Sequence, residues 1–234
     1  MSKHIPRIYY NNNLDESNNL VLPNRWNNHL IKVFRMKVHD EVIIYNEQFG
    51  EWLCNITSVN KNNIVVSRQK LLRQYQGNIK VVLAFCLIKY DNVKLIIEKC
   101  TELGISDFYP LISDYTQYNK LNIDKLQIIA IQASEQSERL DVPKIHNISG
   151  ITEFINNLSN DIKWYSAIER TQNNNTVLQN ENVGFLVGPE GGFSDREKEL
   201  LINKTNPISL STNILRAETA CISCSSLVSY SRLS

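Results

Sequence analysis

Val183-Gly184-Phe185-Leu186-Val187, then Gly188-Pro189-Glu190-Gly191-Gly192-Phe193, then Ser194-Asp195-Arg196-Glu197, reads as a strand, a glycine loop and a helix start. The first five residues form the apolar run expected of a strand covered on both faces. Ser194 and Glu197 have the spacing of a capping box, which sets the start of the helix. Gly191 and Gly192 permit positive φ and leave main-chain N–H groups within reach of a ligand. Loops at the carboxyl ends of strands are where open α/β sheets bind ligands. The same residues also fit an ordinary strand-to-helix turn. A second segment, Ile214-Leu215-Arg216-Ala217-Glu218-Thr219-Ala220, shifts the balance toward a ligand site.

Upstream, from Ile79 onward, strands and helices alternate. Ile79 to Ile88 is long and almost continuously apolar, as for a central buried strand. Val93 to Leu103 places Val93, Ile96, Ile97, Cys100 and Leu103 on one helical face, and Gly104 stands at the usual stop position. Phe108 to Ile112 reads as a strand, Leu121 to Leu140 as a long amphipathic helix, and Ile151 to Leu158 as a short one. Ile162 to Ile168 and Pro207 to Leu210 read as strands, Glu197 to Asn203 and Glu218 to Leu233 as helices. This alternation predicts a mostly parallel sheet with helices on both faces.

The first seventy residues have a different pattern. Ile8 to Tyr10, Glu41 to Tyr45, Glu51 to Ile56 and Asn63 to Ser67 are short strand-like runs parted by turn residues, and only Arg25 to Phe34 suggests a helix. This predicts a small barrel, with Leu71 to Asn78 as linker. The domains are therefore placed at 1–72 and 73–234.

The 234 residues are enough to bury a core, with 42% hydrophobic and 21% charged residues. No apolar run approaches a bilayer span, and Met1 to Pro6 lacks the apolar centre of a signal peptide, so the expected location is the cytoplasm. Five scattered cysteines do not form a disulfide framework, and dispersed histidines imply no metal site. Residues 1–75 carry ten Lys/Arg against six Asp/Glu, a difference of +4, which is compatible with a phosphate backbone.

Taken together, the 188–193 and 214–220 segments resemble the RsmE family, 16S ribosomal RNA uridine-N3 methyltransferases of the SPOUT superfamily. Ile5-Pro6-Arg7-Ile8-Tyr9, Asn28 to Met36, Glu98 to Gly104 and Ala133 to Arg139 extend the likeness over nearly the whole chain. The sequence departs from the family at Leu210-Ser211-Thr212-Asn213, where Leu-Gly-Pro-Arg is usual, and at His39-Asp40, where Gly-Asp is usual. The resemblance implies a PUA-like β-barrel followed by a SPOUT-type α/β domain, mostly a parallel sheet, with a trefoil knot holding S-adenosylmethionine. It also implies a homodimer acting on 16S ribosomal RNA within the small subunit.

On this resemblance the cofactor-binding residues are Val187, Gly188, Pro189, Glu190, Gly191, Gly192, Leu210, Ser211, Ile214, Leu215, Thr219 and Ala220. The catalytic candidates are Arg216, Glu218, Glu102 and Arg139, with Glu190 beside them. Arg7, Arg25, Arg35 and Lys37 are the expected phosphate contacts. Removing the N3 proton of uridine needs a base, and a cation near the carbonyl oxygens would stabilise the anion left behind. Other roles stay open: Glu218 suits the N-terminal end of a helix, Glu98 and Glu102 fit a solvated face, and Arg139 fits a helix C-terminus. A SPOUT enzyme with another target, or a catalytically weak RNA-binding or ribosome-assembly protein, is the alternative. A P-loop is disfavoured because the Gly-Lys-Ser/Thr ending is missing.

Overall fold

The structure, a computed structural model, describes residues 5–11, 18–22, 26, 29–60, 63–77, 79–171 and 181–232. They divide into two compact units, one drawn from Met1–Gly77 with Ser134–Val142, the other from Asn78–Ala133 with Pro143–Ser234.

The first unit is a five-stranded sheet of β1 (Arg7–Tyr9), β2 (Asn19–Val21), β3 (Glu41–Asn46), β4 (Gly50–Val59) and β5 (Ile64–Arg73), in the order β1-β3-β4-β5-β2. Only β1 and β3 run parallel. One core cluster takes Ile8 from β1, Ile44 from β3, Ile56 from β4, Val66 from β5 and Leu20 from β2. A flat sheet would hold β1 and β2 about 19 Å apart, four spacings of roughly 4.8 Å, so the sheet must curl for both ends to share a core. The helix expected over Arg25 to Phe34 lies partly outside the described residues, which show a π-helical turn at His29–Val33.

A buried ionic cluster fastens residues 134–139 within this unit. Glu51 accepts from Arg7 Nε at 2.6 Å and from Arg73 Nε at 2.5 Å, and its side chain is 5% exposed. Arg7 also donates to the carbonyls of Ser134, Glu135 and Arg139, and Arg73 donates to that of Glu138. The Arg7 guanidinium lies 4.0 Å from the centroid of the Tyr45 ring. The first two of these carbonyls belong to the end of a helix running Ile123–Gln136, not to Leu140 as its periodicity suggested, and those of Glu138 and Arg139 follow it. Glu138 takes φ 58° and the Arg139 N–H returns to the Ser134 carbonyl, a Schellman stop without glycine. Two guanidinium groups, bound to carbonyls of the last turn and of the stop that follows it, offset the cost of a non-glycine residue in the left-handed region.

The second unit is built on β6 (Val81–Cys86), β7 (Asp107–Ile112), β8 (Lys144–Ile145), β9 (Ser149–Gly150), β10 (Lys163–Ala167), β11 (Val183–Val187) and β12 (Asn206–Ile208). The order is β12-β10-β11-β6-β7-β8, with β9 also on β7, and every pair is parallel. All residues of β6 and β11 are buried, which explains their unbroken apolar sequences. The helices are α1 (Tyr90–Glu102), α2 (Ile123–Gln136, whose last three residues count with the first unit), α3 (Ile151–Asn156), α4 (Asp195–Lys204) and α5 (Ala217–Ser231). Val82, Ala84, Trp164 and Leu186 pack against Ile151 and Ile155 of α3 and Leu201 of α4. The helices α1 and α5 pack on each other, and α5 also packs on β6 and β11. Gly104 stops α1 at φ 96°, with the Ile105 N–H bonded to the Cys100 carbonyl.

All five cysteines are buried and free, and burial pushes the thiols of Cys54, Cys86 and Cys100 up to about 12. Among the described residues no cluster suits a metal ion, and no helix is long and apolar enough to cross a membrane.

Burial alone would raise the Glu51 carboxyl, but hydrogen bonds from Arg73 and Arg7 outweigh it and hold the group below its ordinary value. A depressed carboxyl stabilises fully above its unfolded pKa, and that stability is lost as pH falls through the lower folded value. Urea unfolding midpoints of the wild type should therefore fall more steeply below about pH 4.5 than those of Glu51→Gln, which starts lower at pH 7. Parallel pH profiles for the two proteins would remove Glu51 from the stability of this unit.

Candidate functional site

Register brings three strand ends of the second unit level. Ala167 of β10 pairs with Ile208 of β12, and Ser166 pairs with Leu186, so the next residue, Val187, comes level with Ala167. All three line one cavity of about 520 Å³. Its walls are the loops leaving these strands: Ala167–Arg170, Val187–Phe193 and Ile208–Leu215, with Ala217 and Ala220 of α5. The chain leaves β11 into α4, against the sheet face bearing Trp164, and leaves β12 into α5, which packs on α1. Loops that depart in this way leave a crevice at the carboxyl edge of the sheet.

Each glycine of the first loop has its own physical cause. Gly192 adopts φ 72°, open to glycine at no steric cost, and closes a turn by donating to the Pro189 carbonyl at 2.9 Å. A Cβ on Gly191 would stand 3.2 Å from Cβ of Tyr115, in the loop after β7. A side chain at 191 would have to displace Tyr115 by a few tenths of an ångström, so a contact within the protein itself favours glycine here, in addition to the ligand access that the sequence suggested. Next to the loop, Ser194 and Glu197 complete the expected capping box: the Ser194 N–H donates to Glu197 Oε2 at 2.9 Å, and Ser194 Oγ accepts from the Glu197 N–H.

The third loop contains the departure at residues 211–213. Ser209 Oγ donates to the Ser211 carbonyl at 3.2 Å, and Ser211 Oγ accepts from the Asn213 N–H at 3.0 Å. Serine hydroxyls thus form the turn, and none of residues 211–213 has positive φ. The missing glycine does not fill the crevice, because Leu210, Ser211 and Asn213 all line it.

Most of the expected cofactor residues come together here. Val187, Gly188, Pro189, Glu190, Gly191, Gly192, Leu210, Ser211, Ile214, Leu215 and Ala220 line the cavity, whereas Thr219 is exposed on α5 and does not. Arg216, the N-cap of α5, is exposed and separates the lining residues Leu215 and Ala217. Glu218 is 9% exposed, and its Oε2 is buried without a hydrogen-bond partner. An unsatisfied buried acceptor costs roughly 1–3 kcal/mol, so stability alone does not explain this carboxylate.

Other expected site residues lie elsewhere. Glu102 ends α1 on the surface, 2.9 Å from Lys99. Arg139 belongs to the first unit and pairs with Asp141 at 2.9 Å. Arg7, expected to meet phosphate, is 7% exposed and committed to Glu51 and three carbonyls, so it is a structural residue. Arg35 and Lys37 are exposed in the first unit, and Arg25 lies outside the described residues.

The sequence reading missed the Ala167–Arg170 wall. Nothing in a single sequence shows which strands are neighbours, and Arg170, exposed at φ 56°, stands out only in the structure.

A model of an RNA methyltransferase domain matches residues 76–229, and one of an RNA methyltransferase PUA domain matches residues 28–67. The chain is 37% identical to ribosomal RNA small subunit methyltransferase E of Rickettsia conorii, over 92% of this chain and 91% of that protein. The chain belongs to the ribosomal RNA small subunit methyltransferase E family. A Buchnera aphidicola member of that family is 31% identical over 95% of this chain and 94% of its own. Among solved structures, a Legionella pneumophila methyltransferase with bound cofactor SAM superposes with TM-score 0.86 at 26% identity, covering 97% of this chain and 98% of that one. The family's Neisseria gonorrhoeae member, bound to S-adenosyl methionine, has the same fold: TM-score 0.84, 24% identity, 98% of each chain.

Gly191→Val should destabilise the second unit by roughly 1–3 kcal/mol through overpacking against Tyr115. Tyr115→Gly in the same chain should recover much of that loss in a double-mutant cycle followed by urea unfolding. Strict additivity would show that Tyr115 is not what Gly191 accommodates.

Proposed function

We propose that the chain methylates N3 of a uridine in 16S ribosomal RNA, with S-adenosylmethionine as methyl donor. Family membership supports ribosomal RNA methylation. The observation that carries the reading here is the cavity itself, built from Gly188–Phe193 and Leu210–Leu215 at the level ends of β11, β10 and β12. Its volume of about 520 Å³ is in the range of small-molecule sites, and its lining combines apolar Ile168, Leu210, Ile214 and Leu215 with loop main chain, which suits an adenosine joined to a charged tail. A trefoil knot through these two loops is part of the proposal.

When bound, the cofactor supplies an electrophilic methyl group on a sulfonium. The work left to the protein is orientation and proton removal. Val187 to Gly192 and Leu210 to Leu215 hold the donor. Arg216, exposed between the lining residues Leu215 and Ala217, is the candidate to stabilise charge on the uridine carbonyl oxygens as N3 loses its proton. Glu218 is the candidate acceptor of that proton, next in sequence to the lining residue Ala217 and with an oxygen no donor satisfies. Arg35 and Lys37, exposed on the first unit, are the remaining described candidates for phosphate contact. The reading includes a homodimer working in the cytoplasm, and the exposed Leu227 and Tyr230 of α5 offer apolar surface for such a contact.

Treatment of small-subunit RNA lacking native modifications with the protein and labelled donor, followed by mass-spectrometric mapping, should place one methyl group on N3 of a uridine. Label on another base or on a ribose would refute the assigned position. Arg216→Ala should keep the wild-type melting temperature, because the side chain is exposed, and lose about a hundredfold or more in kcat/KM. Glu218→Gln keeps the size of the side chain and should also lose activity while its melting temperature stays near the wild-type value, since no hydrogen bond to Oε2 is lost. Full activity in Glu218→Gln would exclude it as the base.

A further inference from the structure

A carboxylate outside the cavity joins two loops whose contact gives the glycine loop its shape. Glu197 is 0% exposed, and each of its oxygens accepts from a different loop. Oε2 takes the Ser194 N–H at 2.9 Å, the cap of α4, and Oε1 takes the Asp114 N–H at 2.8 Å, from the loop after β7. A second strut runs beside it, with Ser194 Oγ donating to Asp114 Oδ2 at 2.6 Å. The next residue, Tyr115, is the one that abuts Gly191. The loop after β7 is itself a tight turn: the Thr116 N–H donates to the Ser113 carbonyl at 3.1 Å and the Ser113 N–H to Thr116 Oγ1 at 2.9 Å. A rigid buttress is thus fastened through one buried carboxylate to the residue that follows Phe193.

An N-terminal cap needs one oxygen and is usually solvated. Two main-chain donors from segments 80 residues apart, on a fully buried carboxylate, exceed what capping requires. Charge-assisted bonds of this kind are short and directional, and they fix position more strictly than apolar packing does. The walls Pro189 to Phe193 carry few side chains able to hold themselves in place, because three of the loop's six residues are glycine.

We infer that Glu197, with Asp114 and Ser194, is a positioning residue that holds the glycine loop against the loop after β7 in the shape that receives the methyl donor. The inference rests on the cofactor reading given above. It assigns to Glu197 no contact with donor or RNA. Its effect is on donor affinity, through the main chain of residues 188–193.

The test is S-adenosylmethionine binding by isothermal titration to the full-length protein, with thermal melts alongside. Glu197→Gln retains size and one acceptor oxygen but sets an amide NH2 against one of the two N–H donors. Its dissociation constant for S-adenosylmethionine should rise about tenfold, equivalent to about 1.4 kcal/mol, with RNA affinity unchanged. Ser194→Ala cuts the second strut and should produce a smaller rise. Thr205→Val, which removes hydrogen bonds to Ser166 and the Leu201 carbonyl at the other end of α4, should lower the melting temperature without moving donor affinity. Wild-type donor affinity in folded Glu197→Gln and Ser194→Ala, whatever their melting temperatures, would reduce Glu197 to a helix cap and overturn the inference. Should Glu197→Gln not fold, Ser194→Ala and Asp114→Ala decide the matter by the same affinity. Failure of the wild-type protein to bind the donor would instead overturn the cofactor reading.

Discussion

The level ending of β12, β10 and β11 is the constraint from which the site follows. Parallel strands point their carboxyl ends to one edge, so the loops that leave them are neighbours whatever their separation in sequence. Here the Ala167–Ile208 pairing and the Ser166–Leu186 pairing bring Ala167, Ile208 and Val187 level along one edge. A slip of one residue in β10 would reverse its faces and take Trp164 off Gly184, where a Cβ would collide with the indole. Gly184, inside the strand and far less conspicuous than the loop glycines, thus helps to keep the crevice in register.

Above that edge, the protein shapes its loops largely by contacts with itself. Gly191 gives way to Tyr115, Gly188 would bring a Cβ to 3.3 Å from the Phe193 ring, and only Gly192 is there for its φ of 72°. The serine turn at 209–213 reaches a cavity-lining geometry by side-chain hydrogen bonds in place of the glycine usual in the family. Main chain can therefore line a ligand cavity without every glycine being a contact, and loop shape and ligand access are separable properties of the same residues.

What was legible in the sequence followed from periodicity and from motif spacing. Buried β6 and β11, the apolar face of α1 with its Gly104 stop, and the Ser194–Glu197 cap all lie where local pattern puts them, because each is determined by residues within a few positions. Three kinds of feature were not legible. The strand β2 is only Asn19–Val21, too short for an alternation to register. The helix α2 stops at Gln136, where Arg7, more than a hundred residues away in sequence, binds the Ser134 and Glu135 carbonyls and Arg73 binds the Glu138 carbonyl just beyond. The Ala167–Arg170 wall depends on strand order, which no single sequence displays.

Arg7 shows why charge read from sequence misleads about nucleic acid. In sequence it is one of ten basic residues in a mildly positive segment, with nothing to separate it from Arg35 or Lys37. In the folded chain it is desolvated over Tyr45, and Glu51 and three carbonyls take up its donors. A guanidinium so placed cannot release counterions from a phosphate backbone, because its charge is already neutralised inside the protein. Any affinity of this segment for RNA must come from cations that remain solvated, as Arg35 and Lys37 do. The same reasoning applied to carboxylates separates Glu102, exposed and paired with Lys99, from Glu218, buried with an oxygen left over. Of the two, only Glu218 has a buried oxygen with no hydrogen bond to offset its desolvation, and that observation favours it over Glu102 in the reaction proposed above.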